Sequence, residues 1–210
     1  MEHRGSDPGS SLAAYADLVR ASPHNLLSRA GLQELESRHI PESVRFAERL
    51  PDTSAVLDVG SGGGLPGIVI AIVRPDVEVH LLEATTKKAD FLAAVGSELG
   101  LRIRVHNGRA EELATGELAR AFMVVTARAV ARLPRLIELC APFLALGGQI
   151  HAIKGERWAE EVTESTSTMR RSGLVLRATP DDLPAEDPRV VVLERTGGPI
   201  TTSGPTPGSA

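Results

Sequence analysis

The sequence is poor in cysteine and in aromatic residues, and it lacks long apolar runs. Cys140 is the only cysteine among 210 residues, which excludes an intrachain disulfide and argues against a zinc cluster. It lies in the apolar run 136–146, where a small buried hydrophobe is expected rather than a nucleophile. Aromatic residues make up 3% of the chain, so the core is built mainly from aliphatic side chains. Since no run of 18 apolar residues is present, no membrane span is expected.

The chain also lacks a strong charge of either sign. It has 23 Lys and Arg against 27 Asp and Glu, a net charge of −4 and a pI near 5.9. This balance argues against a protein that coats nucleic acid, but it leaves room for a local basic patch. Residues 1–11 are polar and contain glycine, unlike a signal peptide. Together with the single cysteine, this predicts a cytoplasmic, reducing location.

What the sequence does contain is a motif of strand, glycine turn and helix at 56–73. Residues 56–59 predict a short buried strand, and a glycine-rich turn follows. A helix is predicted from Leu65 to Val73, with Pro66 in the first turn, where its missing N–H does no harm. This order opens nucleotide-binding α/β units. Glycines in such a turn allow a positive φ and a close approach of the backbone to a ligand.

The glycine turn fits two kinds of ligand. The spacing Gly62-x-Gly64-x-x-Gly67 matches the dinucleotide fingerprint. The spacing Asp58-x-Gly60-x-Gly62-x-Gly64 matches the first motif of methyltransferases that depend on S-adenosylmethionine (SAM). The second fits better, because SAM carries a cationic amino group and a sulfonium but no phosphate. It therefore needs a carboxylate at the strand end, here Asp58, more than a helix N-terminus. A structural turn without a ligand is the remaining alternative.

The rest of the chain is organised around this motif. We expect disordered ends at 1–10 and 197–210, a helical cap at 11–52 and a cofactor-binding core at 53–196. In the core, strands alternate with helices, which predicts an α/β, doubly wound, mostly parallel sheet. The predicted strands are 55–60, 77–83, 103–106, 122–126, 148–153, and a closing pair, 174–178 and 189–194, which suits an antiparallel edge strand. The predicted core helices are 65–73, 86–99, a short helix within 111–118, 132–146 with a break near Pro142, and 156–172.

Ligands bind at the carboxyl ends of the strands in such a sheet. Glu83 ends the second strand about 20 residues beyond the glycines, where an acid grips ribose hydroxyls. The turn 107–112 after the third strand either holds the adenine or caps a helix. Arg128, after the fourth strand, is suited to a phosphate or a base edge; the alternative is a salt bridge to Glu83 or Asp58. Lys154, after the fifth strand, adds a second cation.

These residues suggest a family. The segment Leu57–Ile68, with its Gly-Leu-Pro-Gly ending, resembles the small-subunit ribosomal RNA guanine-N7 methyltransferases, also called glucose-inhibited division protein B. The similarity covers roughly residues 25–196. Further matching blocks follow in the family's order: Ala71–Asp76, Leu81–Glu83, Lys87–Leu92, Arg109–Glu112, Ala127–Ala131 and Lys154-Gly155.

The resemblance implies the class I SAM-dependent methyltransferase fold, SAM as the cofactor, and methylation of N7 of a guanine in 16S ribosomal RNA. The partner would be that RNA or the small ribosomal subunit, and we expect a monomer without membrane contact. It implies SAM contacts at Gly60, Leu65, Glu83, Ala84, Ala110 and Glu111, with Arg128 lining the pocket. Asp58, Gly62 and Gly64 complete the expected cofactor site. Arg128 and Lys154 are the expected catalytic residues, which hold the guanine O6 or a flanking phosphate. No metal is expected. The alternatives are a non-catalytic SAM- or RNA-binding module, a different methyl acceptor, or an NAD-dependent oxidoreductase.

The region before the core carries weaker family signatures. Asn25-Leu26 and Arg38-His39 look like the family's Asn-Leu-Thr and Arg-His pairs, which implies that the cap folds over the active site. The usual Trp-Asn pair is replaced in Ala21–His24, and Glu42-Ser43 stands where the family has Asp-Ser. These departures lie in the RNA-facing cap and leave the SAM site intact.

Overall fold

A computed structural model describes residues 7–185 and 187–197. The strands are β1 (Ala55–Val59), β2 (Glu78–Glu83), β3 (Ile103–Asn107), β4 (Phe122–Arg128), β5 (Leu144–Ile153), β6 (Leu174–Ala178) and β7 (Val190–Arg195). They form a sheet in the order β3-β2-β1-β4-β5-β7-β6. The neighbours from β3 to β5 pair in parallel, which confirms the mostly parallel α/β sheet. The antiparallel strand is β7, and it lies between β5 and β6 rather than at the edge.

The helices lie before and between these strands. They are α1 (Pro8–Ala21), α2 (Arg29–Gln33), α3 (Ile40–Glu48), α4 (Gly67–Val73), α5 (Thr86–Glu98), α6 (Ala110–Leu113), α7 (Leu133–Cys140), α8 (Trp158–Glu164) and α9 (Thr166–Arg171). Helix α1 begins earlier than expected because the side chain of Asp7 accepts a hydrogen bond from the Ser10 N–H and Pro8 takes the first helical position. The expected disorder over 1–10 is therefore wrong for Pro8–Ser10. Residues 1–6 and 198–210 lie outside the described residues.

Two of the long helices expected in the core are shorter. The helix expected at 132–146 ends at Cys140, and 144–146 belong to β5 instead, where Leu144 pairs with Phe122. The break expected near Pro142 is confirmed, because proline cannot continue the α-helical hydrogen bonds. The helix expected at 156–172 begins at Trp158 and is divided into α8 and α9. Helix α4 begins at Gly67 rather than Leu65, with Pro66 at its N-cap.

The sheet carries hydrophobic clusters on its two faces. One cluster combines cap residues, including Tyr15 and Phe46, with Ile68 of α4. The other contains residues of α7, including Ile137, with inward-facing residues of β4 and β5. Six of the seven residues of α4 are buried, because this helix contacts β2 as well as α1 and α3 of the cap. The cap is thereby held beside the glycine turn that precedes α4.

The sequence predicted a buried cysteine and no membrane span. Cys140 is fully buried, and burial raises the pKa of its thiol well above the ordinary value, as expected for a residue used in packing. Within residues 7–185 and 187–197, the helices are too short or too polar to cross a membrane.

Candidate active site

The glycine turn after β1 requires glycine at several positions. Gly60, Gly62 and Gly64 have φ values of 72°, 56° and 104°, a region that other residues rarely adopt. A Cβ on Gly60 would lie 2.7 Å from Cγ2 of Val130, and one on Gly64 would lie 2.6 Å from Cγ1 of Ile68. Both the backbone conformation and the packing therefore explain the glycines. The turn leaves a backbone surface without side chains at the carboxyl end of β1.

Glu83 at the end of β2 holds this turn in place. It is 7% exposed. Its Oε2 accepts a 2.9 Å hydrogen bond from the Gly62 N–H, and its Oε1 accepts a 2.7 Å hydrogen bond from the Thr85 N–H. Each carboxylate oxygen retains a further lone pair. Sequence analysis identified Glu83 from its spacing but did not foresee these backbone contacts.

The Asp58 side chain is shielded from solvent at the base of the glycine turn. The residue is fully buried, and Oδ1 accepts a 2.9 Å hydrogen bond from Oγ1 of Thr126. Burial raises the pKa of Asp58 to about 6, although Thr126, Ser61 and the Gly67 N–H oppose the shift. The carboxylate expected to meet the SAM amino group therefore supports the turn from below in this structure. Thr126 was missed, and the only signal was a hydroxyl inside the apolar stretch 122–127.

The other expected cofactor residues follow the same strand ends: Leu65, Ala84, Ala110 and Glu111. Leu65 and Ala110 are buried, whereas Ala84 is exposed and Glu111 is half exposed in an ion pair with Arg135. The Gly108 N–H donates a 3.1 Å hydrogen bond to the carbonyl of Glu83. This bond joins the turn after β3 to the end of β2, so the structure brings the expected cofactor residues to one edge of the sheet.

Arg128 ends β4 and faces the cap. Its side chain is 16% exposed, and its Nη2 is hydrogen-bonded to Nδ1 of His39 and lies 3.6 Å from Oε2 of Glu42. These partners replace the salt bridge to Glu83 or Asp58 that was the alternative. Within the described residues, its Nη1 is buried and has no hydrogen-bond partner.

Burial shifts the pKa values of both Arg128 and His39. Burial lowers the pKa of Arg128, and the carboxylate of Glu42 opposes the shift; a guanidinium remains charged at neutral pH even so. Burial and the Arg128 charge lower the pKa of His39. A neutral His39 can accept the hydrogen bond from Arg128 through Nδ1.

The cap contacts the site at two further points. Tyr15 of α1 is fully buried, and its hydroxyl donates a 2.8 Å hydrogen bond to the carbonyl of Gly63. Glu42 of α3 accepts a 2.9 Å hydrogen bond from Nε of Arg38. The cap therefore does fold against the site, as the Arg-His signature implied. Sequence reasoning missed Tyr15 and gave no role to Glu42.

Lys154 is buried in an ion pair and is not a free cation at the surface of the site. Its side chain is 6% exposed, and Nζ lies 2.7 Å from Oε2 of Glu161 and 2.9 Å from the carbonyl of Ala131. Glu161 also accepts a 2.7 Å hydrogen bond from the Leu133 N–H. Although burial opposes it, the Lys154 ammonium keeps the pKa of Glu161 below its usual value. The pair ties the loop after β4 to α8, which favours a positioning role for Lys154.

A cavity of about 350 Å³ opens beside Arg128. Its charged lining residues are Arg38, Glu42, Arg128, Lys154, Asp187 and Arg189. Ala129, which also lines it, has a φ of 55°. That is an uncommon conformation for a residue with a Cβ, and such strain is concentrated at functional sites. The cavity adjoins the strand end that carries Arg128, whereas the glycine turn and Glu83 lie at the ends of β1 and β2.

Comparison with known proteins assigns this chain to a family. A model of the family described as GidB, rRNA small subunit methyltransferase G, matches residues 10–183. Two relatives are named ribosomal RNA small subunit methyltransferase G. The protein from Sorangium cellulosum is 41% identical over 177 residues, which is 82% of this chain and 73% of the relative. The protein from Acidothermus cellulolyticus is 44% identical over 149 residues, which is 70% of this chain and 65% of the relative.

A solved structure extends the similarity to the fold. The crystal structure of a predicted O-methyltransferase from Agrobacterium tumefaciens has a TM-score of 0.57 at 20% identity, covering 74% of this chain and 81% of that chain. At this identity the likeness concerns the fold alone. Because the family model spans most of the chain and the sheet has the expected topology, the chain belongs to the ribosomal RNA small subunit methyltransferase G family and has the class I SAM-dependent methyltransferase fold.

Proposed function

We propose that this protein transfers the methyl group of SAM to N7 of a guanine in small-subunit (16S) ribosomal RNA. The observation that carries the proposal is that one edge of the sheet holds the glycine turn after β1, Glu83 at the end of the neighbouring strand β2, and the largely buried Arg128 at the end of β4 on the other side of β1. The glycine turn with Glu83 suits a nucleoside cofactor, and Arg128 suits a base edge. Family membership supports the acceptor.

The residues at the glycine turn fit SAM. At Gly60 and Gly64 a Cβ would clash with Val130 and Ile68, so the turn after β1 requires glycine there and carries no side chain at these positions. Glu83 has lone pairs left for two ribose hydroxyls, and the turn at Ala110 and Glu111 is available to the adenine. SAM supplies an electrophilic methyl group on its sulfonium when it is bound. Asp58 acts through the turn that it supports, and we assign it a positioning role.

On the acceptor side, the chain positions and shields the base. N7 of neutral guanine already carries a free lone pair, so no strong general base is needed. Holding two reactants in line can contribute roughly 7–11 kcal/mol. The base must leave its stack to reach the pocket. Arg128 donates to the guanine O6, and Lys154 holds Ala131 in the loop that follows Arg128.

The substrate class makes the interaction dependent on salt. Arg38 and Arg189 line the cavity, where they can contact phosphates next to the target. Because the net charge of the chain is −4, the electrostatic attraction for RNA has to come from local basic residues such as these two. Binding is therefore expected to weaken as the salt concentration rises. We further propose that the protein acts in the cytoplasm as a monomer on ribosomal RNA or the small subunit.

The first experiment is a methylation assay. Small ribosomal subunits from cells that lack this protein are incubated with the protein and SAM labelled in its methyl group, and the labelled base is mapped. The expected result is label on N7 of a single guanine in the 16S RNA. Label on another base or on protein would overturn the proposed acceptor. Binding of SAM by calorimetry without any transfer would instead indicate a non-catalytic SAM-binding module.

A further inference from the structure

The side chains of Arg128 and Glu42, a guanidinium and a carboxylate, line the same cavity. Arg128 Nη1 is buried and has no partner within the described part of the chain. Glu42 Oε1 accepts from Arg38 Nε at 2.9 Å. Its Oε2 lies 3.6 Å from Arg128 Nη2 and 3.8 Å from His39 Nδ1, distances beyond a hydrogen bond.

This geometry differs from that of a satisfied ion pair. Charged hydrogen bonds between a guanidinium and a carboxylate measure about 2.7–2.9 Å. The side chains of Arg128 and Glu42 are 16% and 19% exposed, and Arg128 Nη1 is buried, so water does not replace its missing bond. Arg128, which has an unsatisfied N–H group, and Glu42, whose Oε2 lacks a close partner, both line this cavity. This arrangement indicates a ligand that supplies the complementary pair once the Arg128 side chain turns toward it.

Guanine has that complement on one edge. Its O6 accepts a hydrogen bond, and the neighbouring N1–H and N2–H₂ donate. Adenine presents the opposite order, an amino donor beside the N1 acceptor, so it would place donor against donor and acceptor against acceptor. N7 lies on the other side of O6 and stays free to face the cofactor. The Arg128–Glu42 pair thus fits guanine and opposes adenine.

We propose that Glu42 determines the specificity for guanine by accepting hydrogen bonds from N1–H and N2–H₂ while Arg128 donates to O6. This inference rests on the proposed function and extends it to the choice of base. Arg38 and His39 neighbour Glu42 in the cap, and Arg38 holds the carboxylate in place through its 2.9 Å hydrogen bond to Oε1. The cap residue that stands in the position of the family's Asp therefore reads the base from the edge opposite the cofactor.

The first test compares two glutamine variants. Glu42→Gln places an amide donor toward the donors of guanine, and kcat/KM for the subunits is expected to fall about 10- to 100-fold. The affinity for SAM is expected to change less than about twofold, which also shows that the variant is folded. Glu34→Gln is the matched control, because Glu34 accepts from the same Arg38 at 3.0 Å but does not line the cavity; it is expected to retain activity. Glu42→Asp, which keeps the carboxylate, is expected to recover part of the loss.

The second test examines the base itself. A small-subunit RNA with inosine at the mapped target retains O6, N1–H and N7 but lacks the N2 amino group. Wild-type protein is expected to methylate inosine about tenfold more slowly than guanine, and Glu42→Gln is expected to lose most of this preference. Full activity of Glu42→Gln, or an unchanged preference in that variant, would overturn the role of Glu42 alone. No methylation of any guanine N7 by the wild type would overturn the proposed function, and this inference with it.

Discussion

The hydroxyl of Tyr15 donates a 2.8 Å hydrogen bond to the carbonyl of Gly63, a residue 48 positions along the chain. The next residue back, Gly62, donates its N–H to Glu83 at 2.9 Å. Consecutive residues of the glycine turn are therefore held from two sides, by the cap and by the sheet. The cap is part of the candidate cofactor site as well as of the candidate acceptor site.

Tyr15→Phe removes only this hydroxyl and tests the link. Because Tyr15 is fully buried, loss of the bond is expected to lower the free energy of unfolding by about 1 kcal/mol and to weaken SAM binding several-fold by loosening the turn. Calorimetry measures the affinity, and chemical denaturation measures the stability. Ser165→Ala is a control, since this buried hydroxyl bonds the Glu161 carbonyl and not the glycine turn. A Tyr15→Phe variant with unchanged SAM affinity would separate the cap from the cofactor site.

Glu83→Ala is expected to weaken SAM binding more than Tyr15→Phe does. A hydrogen bond that involves a charged group contributes about 1.5–3 kcal/mol, which corresponds to roughly 10- to 150-fold in affinity. The variant also loses the acceptor for the Gly62 N–H. Glu78→Ala at the opposite end of the same strand is the control and is expected to bind SAM normally. Normal affinity in a folded Glu83→Ala protein would remove Glu83 from the site.

Arg128→Ala is expected to impair methyl transfer to ribosomal subunits by about 10- to 150-fold, since a hydrogen bond from a charged group to the guanine O6 contributes about 1.5–3 kcal/mol. Arg128→Lys should not restore the rate, because an ammonium lacks the planar fork of a guanidinium. Turnover is measured with labelled SAM. Arg132→Ala is the control and is expected to keep its activity, because the Arg132 side chain is 53% exposed and paired with Glu164. Unaffected turnover in Arg128→Ala would contradict the basic-pocket hypothesis.

Lys154→Met is expected to destabilise the fold by about 3 kcal/mol, because it leaves the Glu161 carboxylate buried without its partner. The pKa of Glu161 is lowered in the folded protein, so the stabilisation by this pair is present above the ordinary carboxyl pKa and disappears as the pH falls below about 4. Urea unfolding of both proteins between pH 3 and pH 7 measures the difference. A destabilisation that stays constant over this range would show that the ion pair is not its cause.

Asp58 is expected to have the opposite pH dependence. Burial raises its pKa to about 6 in the folded protein, so between about pH 4 and pH 6 the folded state binds more protons than the unfolded state. Stability from this group therefore falls as the pH rises, by up to about 3 kcal/mol. Asp58→Asn lacks the titration, and its unfolding free energy relative to the wild type should rise over this interval. Parallel pH profiles of the two proteins would show that Asp58 titrates normally.

The alternation of strands and helices was predictable because hydrophobic periodicity is a local property. The failures came where local pattern is ambiguous. Residues 144–146 are apolar enough for either a helix or a strand, and pairing of Leu144 with Phe122 decides for the strand. The sequence likewise indicated a closing strand pair, but not that β7 would insert between β5 and β6, since strand order depends on distant pairing.

The sequence by itself determined the positions of the glycines and of the polar residues at the strand ends. A positive φ is a requirement of the local backbone, and parallel strands bring their carboxyl ends to one edge. Only the tertiary structure decided the partners of those residues. Thr126 meets Asp58 across 68 positions, and His39 meets Arg128 across 89. Such contacts arise from the packing of whole elements, so no local pattern in the chain specifies them.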